Sequence, residues 1–110
     1  MESKPERELA KLRGFDIWLE DHGWMVMAGT FEYEGSSCQG FGYGIDIDFV
    51  RHLIEVFRVE KLQEINGKSC WVTHDHSGIY KVEPLHKKDG KTFDVKKWCD
   101  DCNKGRKNGE

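Results

Sequence analysis

Residues 15–33 read Phe-Asp-Ile-Trp-Leu-Glu-Asp-His-Gly-Trp-Met-Val-Met-Ala-Gly-Thr-Phe-Glu-Tyr. At the start of this stretch Phe15, Ile17 and Leu19 alternate with Asp16, Trp18 and Glu20, the period of a strand with one buried face. Asp21-His22-Gly23 signals a turn. Met25, Met27, Phe31 and Tyr33 then share one face of a longer returning strand, with Gly29 expected as a bulge. The stretch is a β-hairpin, so the domain is built on a sheet.

Upstream, Ser3-Lys4-Pro5-Glu6 has the spacing of a capping box, with Leu9 and Leu12 on one side of the short helix it would start. Downstream, Gly35-Ser-Ser-Cys-Gln-Gly-Phe-Gly-Tyr-Gly44 reads as a glycine-rich loop whose backbone approaches its own sheet or a ligand closely. Asp46 or Asp48 then caps a helix whose Phe49, Val50, Leu53, Ile54 and Phe57 form one apolar stripe. Leu62 and Ile65 sit in a short turn ended by Asn66-Gly67. Residues 68–74 and 79–85 form a second hairpin across Asp75-His76-Ser77-Gly78, and Pro84 marks an edge or a strand end. Phe93, Val95 and Trp98 offer a last anchor before a polar tail. The expected class is α+β: a mostly antiparallel sheet of two β-hairpins with one central amphipathic helix packed against it. The expected organisation is a helical or flexible segment over 1–14, one domain over 15–98 and a C-terminal tail over 99–110.

At 110 residues, with 37% hydrophobic and 34% charged side chains, the chain is a single small domain. Its 6 Phe, 4 Trp and 3 Tyr supply the core area that the aliphatic residues do not. No stretch has the length of a membrane span, so no membrane partner is expected, and the expected compartment is the cytoplasm of a host cell. There the 4 cysteines are free or metal-bound rather than disulfide-bonded.

Charge is uneven. The net charge is −3, with 9 bases against 15 acids over residues 1–85, and 8 against 5 over residues 86–110. Between Gly14 and Val50 there is no lysine or arginine, yet Asp16, Glu20, Asp21, Glu32, Glu34, Asp46 and Asp48 all fall there. If these carboxylates share one face, they create a negative field that attracts a basic partner and repels nucleic acid. The alternative is a solvated surface that keeps the sheet from edge pairing. The Lys87–Lys107 segment is basic, but its own acids dilute it, so direct nucleic-acid binding is not expected.

Other constellations are less complete. Cys99-Asp-Asp-Cys102 is half of a zinc knuckle, which His74, His76, His86, Cys70, Cys38 or a second copy of the chain would have to complete. The unliganded reading is two thiols in a loose tail. His74 and His76 alternate beside Asp75 as an acid/base or metal pair would, or as a solvated turn. Gln39, Phe41 and Tyr43 of the glycine-rich stretch are candidates for a small-molecule or nucleotide pocket. That stretch lacks the register of a phosphate-cradling loop. No nucleophile, base and stabiliser come together in the pattern, so an enzyme is not expected.

The middle of the chain resembles a group of small phage and prophage proteins. The matching residues are Glu20-Asp21-His22-Gly23, Gly35 through Gln39-Gly40-Phe41-Gly42-Tyr43, and Val59 through Leu62 to Gly67-Lys68. The resemblance spans roughly residues 15–85 and an aromatic near Trp98. Where the group has Trp-Phe this chain has Trp98-Cys99, which makes the cysteine pair private to it. The resemblance implies an accessory gene of a mobile element, a class rich in inhibitors of host defence such as anti-CRISPR proteins. Together with the charge, it leads to an expected function: a non-enzymatic inhibitor whose acidic face occupies the basic nucleic-acid groove of a host protein or nucleoprotein complex. The alternatives are a nucleotide-binding module and a zinc-stabilised interaction domain, dimeric through its tail.

Overall fold

In the computed structural model, which describes residues 4–108 (without the side chains of Asp89 and 102–108), the organising element is one long strand, β1 (Glu6–Leu19). Its first half pairs antiparallel with β4 (Ser69–Asp75), Glu6 lying opposite His74, and from Ala10 on it pairs with β2 (Met25–Tyr33). Two further strands extend the sheet: β3 (Cys38–Gly44) on β2, and β5 (Gly78–Pro84) on β4. The short β6 (Phe93–Asp94) ends it, so the order is β3-β2-β1-β4-β5-β6, all neighbours antiparallel. The sheet curls into a half-barrel, and two helices complete the fold, α1 (Ile47–Phe57) and α2 (Val95–Asn108).

This corrects the expected architecture of one central helix on two hairpins. Residues 6–14 are strand rather than helix. Leu9 and Leu12 carry helical spacing, but Ala10 and Leu12 are the residues buried there, two apart, because pairing on both edges overrides local propensity. Ser3, the expected capping residue, lies outside the described residues. The glycine-rich segment contributes β3 rather than a loop. The segment after Trp98 is helical: Asp94 Oδ1 accepts from the Lys97 N–H at 3.0 Å, and Val95, Trp98 and Cys99 turn toward the core.

Curvature has a local cause. Between Arg13 and Asp16 the ladder with β2 slips by one residue, and Gly14, at φ 63°, takes the left-handed conformation of a bulge. The bulge is therefore on β1, opposite Gly29, and Gly29 serves a different need. A Cβ there would press on Phe41, Leu12 and Phe15, whose side chains close over that position.

α1 starts where the sequence indicates, with Asp46 Oδ1 accepting from the Phe49 N–H at 3.0 Å. Phe49, Leu53 and Val56 form its buried face against the sheet. Past the helix end the chain returns over its last carbonyls, with Lys91 N–H donating to Glu55 O and Arg58 Nη1 to Lys88 O. Gly90 lies so close that a Cβ would overlap the carbonyl oxygens of Glu55 and Val56. Gly90→Ala is accordingly expected to lower stability by about 1–3 kcal/mol. Chemical denaturation checks this, and an unchanged midpoint would refute the close packing.

Candidate functional site

Most of the exposed large apolar residues lie at one end of the sheet, Leu85 being the exception. β1 and β2 outrun the core, and the turn joining them is stapled by Glu20. Its carboxylate accepts from His22 N–H at 2.8 Å and Trp24 N–H at 3.4 Å, and lies 3.4 Å from the His22 ring. Gly23, at φ 87°, makes the reversal possible. Beyond the last core layer, Leu19 is 63% exposed and Trp24 71%, with Trp18 and Met25 also open to solvent. β3 ends beside them: Ile45 N–H donates to Met25 O at 3.0 Å, and Ile47, 77% exposed, opens α1. The end of the sheet thus carries an apolar cap of Trp18, Leu19, Trp24, Met25, Ile45 and Ile47.

The carboxylates of the basic-free stretch divide around this cap. Asp16, on the outer face next to Trp18, Glu20 and Asp21 in the turn, and Asp46 and Asp48 at the start of α1 all belong to the cap end. Glu32 and Glu34 lie at the far end of β2, where Glu32 is ion-paired with Arg13. Several of the cap-end group have internal roles. Asp46 caps α1, and Asp48 bonds Arg51, whose guanidinium holds its carboxyl below the ordinary value. A groove of about 490 Å³ beside Asp46 and Asp48 adds Asp94, His52, Phe93 and Trp98. His52 stacks on Phe93 there at 4.5 Å between centroids.

The aromatic residues proposed as ligand contacts have structural partners. Phe41 stacks on Phe31 at 5.3 Å, Tyr43 meets Phe49 at 5.1 Å and Trp98 at 5.6 Å, and the space left among them is about 10 Å³. That volume has room for a water molecule at most. Gln39 is apart from both, in a cleft of about 430 Å³ at the opposite end of the barrel from the cap. Its amide accepts from Tyr33 OH at 2.7 Å and donates to Asp75 O at 3.1 Å. Tyr33 in turn stacks on His74, 3.9 Å away and nearly parallel, and His74 Nε2 lies 2.8 Å from Glu8 Oε1. Burial pushes the Tyr33 hydroxyl pKa up, keeping it a neutral donor. These groups satisfy one another and form a polar plug.

Asp75 is also committed, accepting from Ser77 N–H, Ser77 Oγ–H and Tyr80 OH across the β4–β5 turn. Those bonds, the Ser77 hydroxyl first, lower its carboxyl to about 2 from 3.8. A depressed carboxylate stabilises the fold fully above its unfolded value and loses that contribution as pH falls toward its folded one. Thermal unfolding between about pH 5 and pH 2 checks this. The wild type and Asp75→Asn should differ at the upper end and converge at the lower. A constant gap would refute it.

Cys99 packs on the core beside Tyr43, whose hydroxyl is raised by burial and then by this thiol. The Cys102 side chain lies outside the described residues. Among the described residues no group of three or more His, Cys, Asp or Glu is placed to hold a metal ion. Cys70 is buried, its thiol pushed up to about 12, while Cys38 is exposed. Among them, too, no helix is long and apolar enough to cross a membrane.

What the sequence reading missed was the apolar cap. The signal was present in Trp18, which alternates with the core residues and falls on the solvent face beside Asp16, and in Trp24 immediately after the turn. Compared with family models, curated proteins and solved structures, the chain shows no match.

Proposed function

We propose that this chain is a non-enzymatic binding protein of phage type that docks the β1–β2 end of its sheet onto a basic surface of a host-defence nucleoprotein complex. One observation carries the reading: the sheet end that holds Asp16, Glu20, Asp21, Asp46 and Asp48 also exposes several large apolar side chains, two of them tryptophans. Exposed large apolar side chains beside charged ones are characteristic of protein interfaces, and tryptophan is enriched among the residues that dominate their energetics. The acidic rim selects the partner's chemistry. Lysines and arginines that otherwise neutralise phosphates pair with Asp16, Asp21 and their neighbours, while an apolar patch between them receives Trp24 and Ile47. An anionic bilayer is disfavoured by the same charges. The resemblance to phage accessory proteins supports a defence complex as the partner class.

The test is competition. Purified CRISPR interference complexes are incubated with labelled target DNA and increasing amounts of the chain, at about 50 mM and about 300 mM salt. Displacement of DNA that weakens at the higher salt is expected. Failure to displace DNA from any complex in the panel would overturn the reading.

A further inference from the structure

We infer that β3 is a self-pairing edge, through which two copies of the chain join their sheets about a two-fold axis. Of the sheet's two ends, β6 is only Phe93–Asp94, whereas β3 runs for 7 residues with no strand paired on its outer side among the described residues. The direction of its backbone groups follows from the ladder. Ile45 N–H donates to Met25 O, and Ser37 O accepts from Tyr33 N–H. In an antiparallel pair this side alternates residue by residue. Gln39, Phe41 and Tyr43 therefore turn their N–H and C=O toward β2, and Cys38, Gly40, Gly42 and Gly44 turn theirs outward. The outward set is also the exposed set. For a glycine that exposure is exposure of the backbone itself.

The glycines are a second, independent observation. None of Gly40, Gly42 and Gly44 has a positive φ. A Cβ at Gly44 would meet open space, and at Gly40 and Gly42 only contacts of 3.5 Å or more. The chain's own packing does not demand glycine there, although glycine weakens a strand and marks places where another backbone approaches. Natural edges are usually guarded by charge, proline or a bulge. β3 has no charged residue, no proline and an uninterrupted register with β2.

The occupant is a second copy for reasons of register and charge. Antiparallel pairing of β3 with itself about Phe41 sets Gly40 opposite Gly42 and Cys38 opposite Gly44 of the second copy. Every outward residue then meets another outward residue, as an isologous contact requires. The same register brings Asp46 opposite Ser36 rather than another acid. The two apolar caps point to opposite ends of the joined sheet and stay free.

Light scattering after size exclusion, over a range of concentrations, reads the outcome. The wild type is expected to run as a dimer. Gly42→Lys and Gly44→Lys should run as monomers with unchanged far-UV circular dichroism and melting. Gly44 is the safer site, since its Cβ is unobstructed. A short bismaleimide should cross-link the Gly44→Cys variant through Cys38 of the second copy, opposite residues in such a pair lying about 5.5 Å apart between Cα atoms. It should not cross-link the Gly44→Cys/Cys38→Ser variant. A wild type monomeric throughout, a dimer surviving both lysine variants, or a dimer lost in Trp24→Ala instead would each overturn the inference.

Discussion

Truncating Phe49 to alanine is expected to cost about 3–5 kcal/mol and to lower the melting temperature by on the order of 15 °C or more. Phe49 is 2% exposed and is the residue on which the separate parts of the fold converge. Its ring lies 6.0 Å from Phe41 and 5.1 Å from Tyr43 of β3, 5.0 Å from Phe93 of β6 and 4.9 Å from Trp98 of α2. Removing it leaves a cavity walled by rings on three elements, which cannot collapse without moving both helices relative to the sheet. Total stabilities of small domains are about 5–15 kcal/mol, so the variant approaches the unfolding threshold. Phe49→Leu, which keeps most of the volume, should recover much of the loss. Equal melting of wild type and Phe49→Ala would mean that α1 does not organise the core.

The second large effect concerns binding without stability. Trp24→Ala removes a side chain that is 71% exposed, so its unfolding midpoint should stay close to that of the wild type. In the competition assay it should weaken binding by about 2 kcal/mol or more, roughly 30-fold, as expected of a tryptophan anchor. Asp16→Lys/Asp21→Lys should act differently, slowing association and flattening the salt dependence. Glu32→Lys/Glu34→Lys is the internal comparison, because those side chains lie at the other end of β2. Loss of binding in that pair with retention in Trp24→Ala would move the interface off the cap.

The local elements that the sequence made legible are those whose signals are local. Alternation from Phe15 to Leu19 and from Met25 to Tyr33, the Asp46 cap with its Phe49-Leu53 stripe, and the Asp75–Gly78 turn all act within a few residues. The failures involve long-range partners. Residues 6–14 are strand because β4, more than fifty residues away, pairs with them. The glycine-rich segment joins the sheet because β2 offers an edge. The helix after Asp94 forms because Trp98 finds Phe49 and Tyr43. The assembled fold is therefore a six-stranded half-barrel with two helices, a different architecture from the one the local signals compose. The candidate site was legible in part for the same reason. Charge can be counted along a chain, which singled out the acids, but their division between the two ends of β2 depends on register. The apolar cap depends on how far β1 and β2 outrun the core.

The place of β1 in the middle of the sheet constrains how the molecule is made. The first strand of this sheet bridges both halves, and one of its flanking partners comes much later: Glu8 meets His74 across 66 residues. Closing such a distant pairing is entropically slow, so sheet completion is expected to be the rate-limiting event on the folding path. A nascent chain halted before β4 would present an unsatisfied β1 edge to the crowded environment of the ribosome. Chaperone engagement during translation is the natural protection for a polypeptide threaded in this order.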